Sequence, residues 1–224
     1  DAGHPICAGS NSPNMFRPTL RSAAILTVLL SAPPIDALRP PYMGDKKPII
    51  KKSDINFLLL PQLSTSGFTS KRDDFYNSVK DYIQRPWIDH VTGNGAWIMD
   101  LVHPSENMPN YGGDMANRIS RVGVLILSDI DTSKKENLAT QLVQLGIDNY
   151  EIFKYGGDWG EVGGAVGVGR KMPILFAGVL TNNPLMKNLI NPLDNYMFQE
   201  DCSIFYVKQS DIDRFPYNAN INYN

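Results

Sequence analysis

The run HPSENMPNYGGDMANR, residues 103 to 118, gathers side chains that handle protons and carboxylates into one short stretch. His103 and Tyr111 can take or give a proton, while Asn117 and Arg118 can bind a carboxylate through directed N–H donors. If the segment is helical, Asp114, Asn117, Arg118 and Arg121 share one broad side of it, opposite or beside an apolar stripe. Were that side to line a cleft, Asn117 and Arg118 would hold the carboxylate of an acidic sugar while Tyr111 or His103 approached its ring proton. The competing reading is a solvated helix face behind a glycine-rich entry loop.

A second polar concentration, YGGDWGEVGG, spans residues 155 to 164. Tyr155 adds a further proton-transfer group. Trp159, flanked by Asp158 and Glu161, reads either as a sugar-stacking platform whose polar neighbours bind hydroxyls or as a buried anchor. Backbone amides ahead of Arg170 and Lys171 could receive a carboxylate or sulfate. The run GGAVGVGRK lacks the spacing and the serine or threonine of a P-loop, and no β run suited to a dinucleotide fold precedes it. His4, His90 and His103 are the only histidines and form neither HExxH nor a compact Cys/His set, so no metal site and no organic cofactor are expected.

The elements that must position these residues are mostly helical. From Lys71 to Gln84, Phe75, Val79, Tyr82 and Ile83 line one face of a helix. A second helix runs from Gly113 to about Asp129 on Met115, Ile119, Val122 and Ile126. Ser133 and Glu136 make a capping-box signature that opens a long third helix, continuing to Phe153 despite Gly146 before Gly156 and Gly157 release it. The short connection makes these two helices antiparallel neighbours. A further helix follows from about Met172 to Leu180, and Asn183 with Pro184 reads as a cap and first helical position.

Elsewhere, residues 1 to 18 read as an irregular segment. AAILTVLLSA, residues 23 to 32, reads as a buried helix entered from Thr19, too short to span a bilayer. ALRPPYMGDKKPIIKKSD reads as a rigid surface excursion. Asp54 reads as the cap of a short helix through INFLLL, and SIFYV, residues 203 to 207, as the best strand candidate. Cys7 and Cys202 are either a pair closing most of the chain or two free thiols.

The 224 residues, 42% hydrophobic and 20% charged, describe one folding domain, mainly α, built as a helix-hairpin array with long Gly/Pro-rich loops. With 23 acidic against 21 basic residues, the chain has no broad attraction for nucleic acid or for an anionic membrane.

The stretch from NYGGDMANRISRVGVLILSDIDTSKKENLATQLVQLGIDNYEIFKYGGDWGEVGGAVGVGRK to PILFAGVLTNNPLM resembles helix-pair sequence of bacterial secreted proteins in the heparinase II/III and alginate-lyase group. The resemblance covers residues 86 to 207 and implies an α/α toroid. At this length that means a partial toroid or a fragment of a larger protein, with another chain or domain as its partner. It further implies a secreted or periplasmic setting and β-elimination at a uronic acid in a polysaccharide or oligosaccharide. The types that such lyases use, Asn or Arg for neutralisation and Tyr or His for proton transfer, are present as Asn117, Arg118, His103, Tyr111 and Tyr155. Two alternatives remain open from the residues: a glycoside hydrolase drawing two carboxylates from Asp114, Asp158 and Glu161, or a noncatalytic glycan-binding or structural protein.

Overall fold

The computed structural model of the chain describes residues 4–5, 16–17, 24–84, 88–89, 101–103, 108–110, 113–156, 159, 167–189, 198–202 and 209. Its α-helices are α1 (Thr69–Val79), α2 (Gly113–Leu127), α3 (Thr132–Lys154), α4 (Lys171–Leu180), α5 (Pro184–Lys187) and α6 (Gln199–Cys202). Strands are short: β1 (His4–Pro5) pairs antiparallel with β2 (Phe16–Arg17), and β3 (Ile88–Asp89), β4 (Leu101–His103) and β5 (Met108–Asn110) form a second antiparallel sheet in that order. The mainly helical class expected from the periodicity is what the described residues show.

The long helix α3 is the centre. Twelve of its residues are buried, from Lys135 to Ile152, and they occur all round the helix because neighbours cover it on several sides. Residues 149 and 146 approach α4 in the opposite direction to its own numbering: Asn149 Nδ2 donates to Arg170 O at 3.3 Å, and Gly146 lies against Pro173 and Ala177. The two helices therefore run antiparallel. A Cβ at Gly146 would stand 2.1 Å from the Pro173 carbonyl oxygen, so the glycine that weakens a helix in isolation is what lets these two main chains touch. Next, α2 packs on α3, and its first turn meets the entry of α4, where Ala116 lies against Gly169. Its stripe of Met115, Ile119, Val122 and Ile126 is buried, as the spacing predicts.

Local signals explain most boundaries. The cap of α3 is Asp131 rather than Ser133: its carboxylate accepts from Ser133 N at 3.0 Å and Lys134 N at 3.2 Å, satisfying two of the unpaired donors of the first turn. At the far end Gly156 takes φ +85, the left-handed conformation that stops the helix. Asn183 caps α5, accepting from Leu185 N at 3.0 Å, with Pro184 at the first helical position.

The proline-rich excursion is a strap fastened across the helices. Gln144 Nε2 donates to Arg39 O at 2.8 Å, Asn56 N to Leu180 O at 2.8 Å, and Lys135 Nζ to Pro61 O at 2.6 Å. Leu63 N donates to Leu127 O, and Asp129 N returns a bond to Leu63 O, both at 2.9 Å. Arg72, at 3.0 Å from Asp129, ties α1 to the same junction. Two expectations are corrected in this part of the chain. INFLLL is not an α-helix begun by Asp54: it holds one 3-10 turn, Phe57–Leu59, capped by Asn56, and another, Lys52–Asp54, precedes it; Asp54 instead accepts from Lys51 N at 2.8 Å. Residues 24 to 29 form no helix and no strand, with Leu26 and Val28 88% and 81% exposed. Ile25, Thr27 and Val28 are β-branched, which lowers helix propensity over this run. The strand expected at 203 to 207 and the Cys7 and Cys202 side chains lie outside the described residues.

Candidate functional site

Antiparallel packing brings the N-termini of α2 and α4 and the C-terminus of α3 to one end of the helices. The groups singled out in the sequence divide there into an outward-facing set and an internal one.

The outward set lies on α2 and the end of α1. Burying Met115, Ile119 and Val122 turns Asn117, Ser120 and Arg121 to solvent, with Arg118 half-buried at the edge facing α1. Past the last turn of α1, Tyr82 N donates to Val79 O at 3.0 Å, and the buried neighbours Val79 and Ile83 fix the segment against the core. Two guanidiniums then converge on the Tyr82 side chain. Arg118 Cζ stands 5.2 Å from the ring centroid, and Arg121 Nη1 donates to the phenol oxygen at 3.3 Å. Asn117 and Arg121, four residues apart, are neighbours on the same helical row. The result is a carboxamide, two cations and a phenol on one surface. It can neutralise an anion and supply a proton-transfer group beside it.

Tyr82 belongs to this set although the sequence reading placed it in the apolar face of α1. A tyrosine in such a row carries a hydroxyl that needs a partner outside the core, and that was the available signal. His103 ends β4, paired with Met108 of β5, and β5 leads within three residues into α2. The side chains of His103 and Asp114, and all of Tyr111, Asp158 and Glu161, lie outside the described residues.

The internal set is held by contacts within the chain. Trp159 is fully buried, stacked on Phe198 at 5.5 Å between centroids, and Phe198 stacks in turn on Phe153 at 5.2 Å. It is an anchor of the core and offers no ring face to a sugar. Arg170, also fully buried, donates from Nη1 to Val168 O at 2.9 Å, and Lys171 pairs with the buried carboxylate of Asp201. The amides ahead of Lys171 do receive a carboxylate, as their position suggested, but an internal one. Glu200 Oε1 accepts from Gly169 N at 2.8 Å and from Lys171 N at 3.1 Å, at the positive end of α4. Arg170 and Lys171 are thus placed as structural cations rather than as substrate ligands. Complementary charge, Gln-Glu-Asp at 199 to 201 against Arg-Lys at 170 and 171, was the signal for this contact, and nearly thirty residues separate the two runs.

Tyr155 ends α3, half-exposed, and its hydroxyl donates to the Asp45 carboxylate while accepting from Asp45 N at 3.1 Å. That bond holds the Asp45 carboxyl below the ordinary aspartate range. The phenol closes the strap over the end of α3 and is not grouped with Arg118 and Arg121 by any contact among the described residues. Among those residues, no cluster of three His, Cys, Asp or Glu side chains could hold a metal ion, and no helix is long and apolar enough to cross a membrane. Compared with protein-family models, curated proteins and solved structures, the chain finds no match in any of the three.

Proposed function

We propose that this chain is a helix-hairpin unit of an exported, polysaccharide lyase-like protein, and that it binds an acidic polysaccharide at Asn117, Arg118, Arg121 and Tyr82. The observation that carries the reading is the convergence of Arg118 and Arg121 on the Tyr82 side chain, beside Asn117. β-Elimination at a uronic acid needs these types together. Arg and Asn stabilise the carboxylate as charge develops toward it, and a base removes the C5 proton. The electrons of that C–H bond form the C4–C5 double bond, the C4–O bond breaks, and the departing glycosidic oxygen takes a proton. Tyr82 is the proton-transfer group in contact with the cations among the described residues, with His103 and Tyr111 as further candidates from the segment entering α2. The helical architecture and the antiparallel neighbours around α3 support an α/α arrangement, of which a toroid is the closed form.

The test is incubation with a panel of acidic and neutral polysaccharides, followed by mass spectrometry of the products. Acidic polymers are expected to give fragments with an unsaturated end, about 18 Da lighter than hydrolytic fragments. Tyr82→Phe should lower turnover, and the double variant Arg118→Ala/Arg121→Ala should abolish preference for acidic polymers. Hydrolytic fragments would overturn elimination and point to Asp114, Asp158 and Glu161. Binding without cleavage, weakened by the double arginine variant, would leave a glycan-binding protein.

A further inference from the structure

Lys171, the first residue of α4, pairs with Asp201 of α6 across 30 residues of sequence, and the two side chains are only 9% and 3% exposed. The arginines that pair with Asp148 and Asp129, by contrast, stay half-buried. Lys171 Nζ donates to Asp201 Oδ1 and stands 5.8 Å from the centroid of the Phe198 ring, itself buried and stacked on Trp159 and Phe153. Of the three donors of the ammonium, one meets an acceptor among the described residues. Glu200 completes the group. Its Oε1 is held by Gly169 N at 2.8 Å and by Lys171 N at 3.1 Å, while its Oε2 is buried with no hydrogen-bond partner among the described residues. An amine, the carboxyl it touches and a second carboxyl with an idle oxygen thus meet against an aromatic wall.

We infer that this is a modification site, at which the folded chain joins Lys171 to Asp201 by an isopeptide bond of its own making. A proton passes from the ammonium to the carboxylate, and the freed lone pair of Nζ attacks Cγ of Asp201. The bond from Cγ to one carboxyl oxygen then breaks, and that oxygen leaves as water once Glu200 has carried the second amine proton to it. Ammonium and carboxylate become amide and water, so the step needs no oxidant, reductant or other reactant. Two effects drive it. Burial penalises the ion pair, which is the reactant, and spares the neutral amide, which is the product. Contact between Nζ and the carboxyl also makes the attack intramolecular, where effective concentrations reach about 10⁵ M or more. The bond ties α6 to the first turn of α4 covalently, and the inference does not depend on the glycan reading of α2.

Mass spectrometry of the full chain, purified folded and then denatured, tests it. The expected mass is about 18 Da below that of the sequence, the water lost in condensation. Trypsin does not cut after an acylated lysine, so the digest should hold residues 171–187 joined to residues 188–208 as one branched peptide. Lys171→Arg and Asp201→Ala should each keep their full sequence mass. Asp201→Asn should lose ammonia in place of water, about 17 Da, by the same attack on Cγ. Glu200→Gln should slow the reaction by about 100-fold or more, read as the linked fraction of freshly synthesised chain. A folded wild-type chain at its full sequence mass overturns the inference, as does an 18 Da loss that maps to other residues; linkage of Glu200→Gln at the wild-type rate overturns the role of Glu200. The wild-type measurement needs no substitution, so a variant that fails to fold leaves the decision standing.

Discussion

The guanidinium of Arg39 grips the carboxylate of Asp148 through both terminal nitrogens, one of them at 3.0 Å, joining the strap to the middle of α3 across 109 residues of sequence. Asp148 is 2% exposed and Arg39 24%, and burial raises the Asp148 carboxyl above the ordinary aspartate value in spite of its partner. Desolvation therefore outweighs the attraction of the one cation. Arg39→Met removes that cation and leaves the carboxylate alone, at an expected cost of about 3 kcal/mol at neutral pH. In the folded chain Asp148 binds its proton at a higher pH than in the unfolded chain, so this group's contribution to stability rises as pH falls toward the ordinary aspartate value of 3.8. Urea unfolding at neutral and mildly acidic pH should show the variant's deficit shrinking; a constant deficit would contradict the assignment.

Asp131 behaves in the opposite sense. Accepting from Ser133 and Lys134, it titrates below its usual value, and its stabilisation is present above that value and lost as pH falls through the lowered one. Asp131→Ala should lower stability at neutral pH, and the deficit should shrink as falling pH protonates the wild-type carboxyl and weakens its cap. Thermal melts of the two chains across this range would then converge at the acid end.

Gly146→Ala raises helix propensity and should nonetheless destabilise the chain by about 3 kcal/mol, since the added methyl meets the Pro173 carbonyl and the Ala177 side chain. Gly67→Ala, with nothing within 4 Å, serves as the control and should fall within about 0.5 kcal/mol of wild type. Equal effects at the two glycines, by chemical denaturation, would remove the packing explanation.

Trp159→Ala should cost about 3 to 5 kcal/mol through loss of the stack with Phe198 and of the space the ring fills. Affinity for a glycan, measured on the fraction that remains folded, should stay within a few-fold of wild type. A stable variant that had lost binding would restore the stacking-platform reading.

Salt should report on Arg118 and Arg121. Binding of an acidic polymer is expected to weaken steeply with ionic strength in the wild type and shallowly in Arg118→Ala/Arg121→Ala, while Tyr82→Phe keeps the steep slope and loses turnover. Identical slopes in all three would place the polymer elsewhere.

The helices were legible because their signals are local. Met115, Ile119, Val122 and Ile126 repeat at helical spacing, and Asn183 precedes Pro184, so neither needs the rest of the chain to be read. The strap was not, because prolines predict an excursion without saying that Arg39 will meet Asp148 or that Lys135 will bond Pro61. Residues 24 to 29 were misread for a related reason: an apolar run of that length has no period that specifies a helix, and its β-branched residues disfavour one. In the candidate site, the α2 row of Asn117, Arg118 and Arg121 followed from spacing alone, whereas Tyr82 entered only when α1 was laid against α2. Lys171 and the amides beside it looked available for a ligand because Asp201 and Glu200, which occupy them, arrive from a distant part of the sequence, and Arg170 is buried against Val168 O.

The contact at Gly146 also governs how this molecule can move. Sliding α3 along α4 by one turn, about 5.4 Å, would carry the Cβ of Leu142 or Asn149, the neighbours of Gly146 on the same row, toward the Pro173 carbonyl that the glycine now accommodates. Shear between those helices is blocked, and they travel as one rigid piece. Relative motion of α1 is left to weaker joints, among them the hydrogen bonds at Leu63 and the ion pair of Arg72 with Asp129.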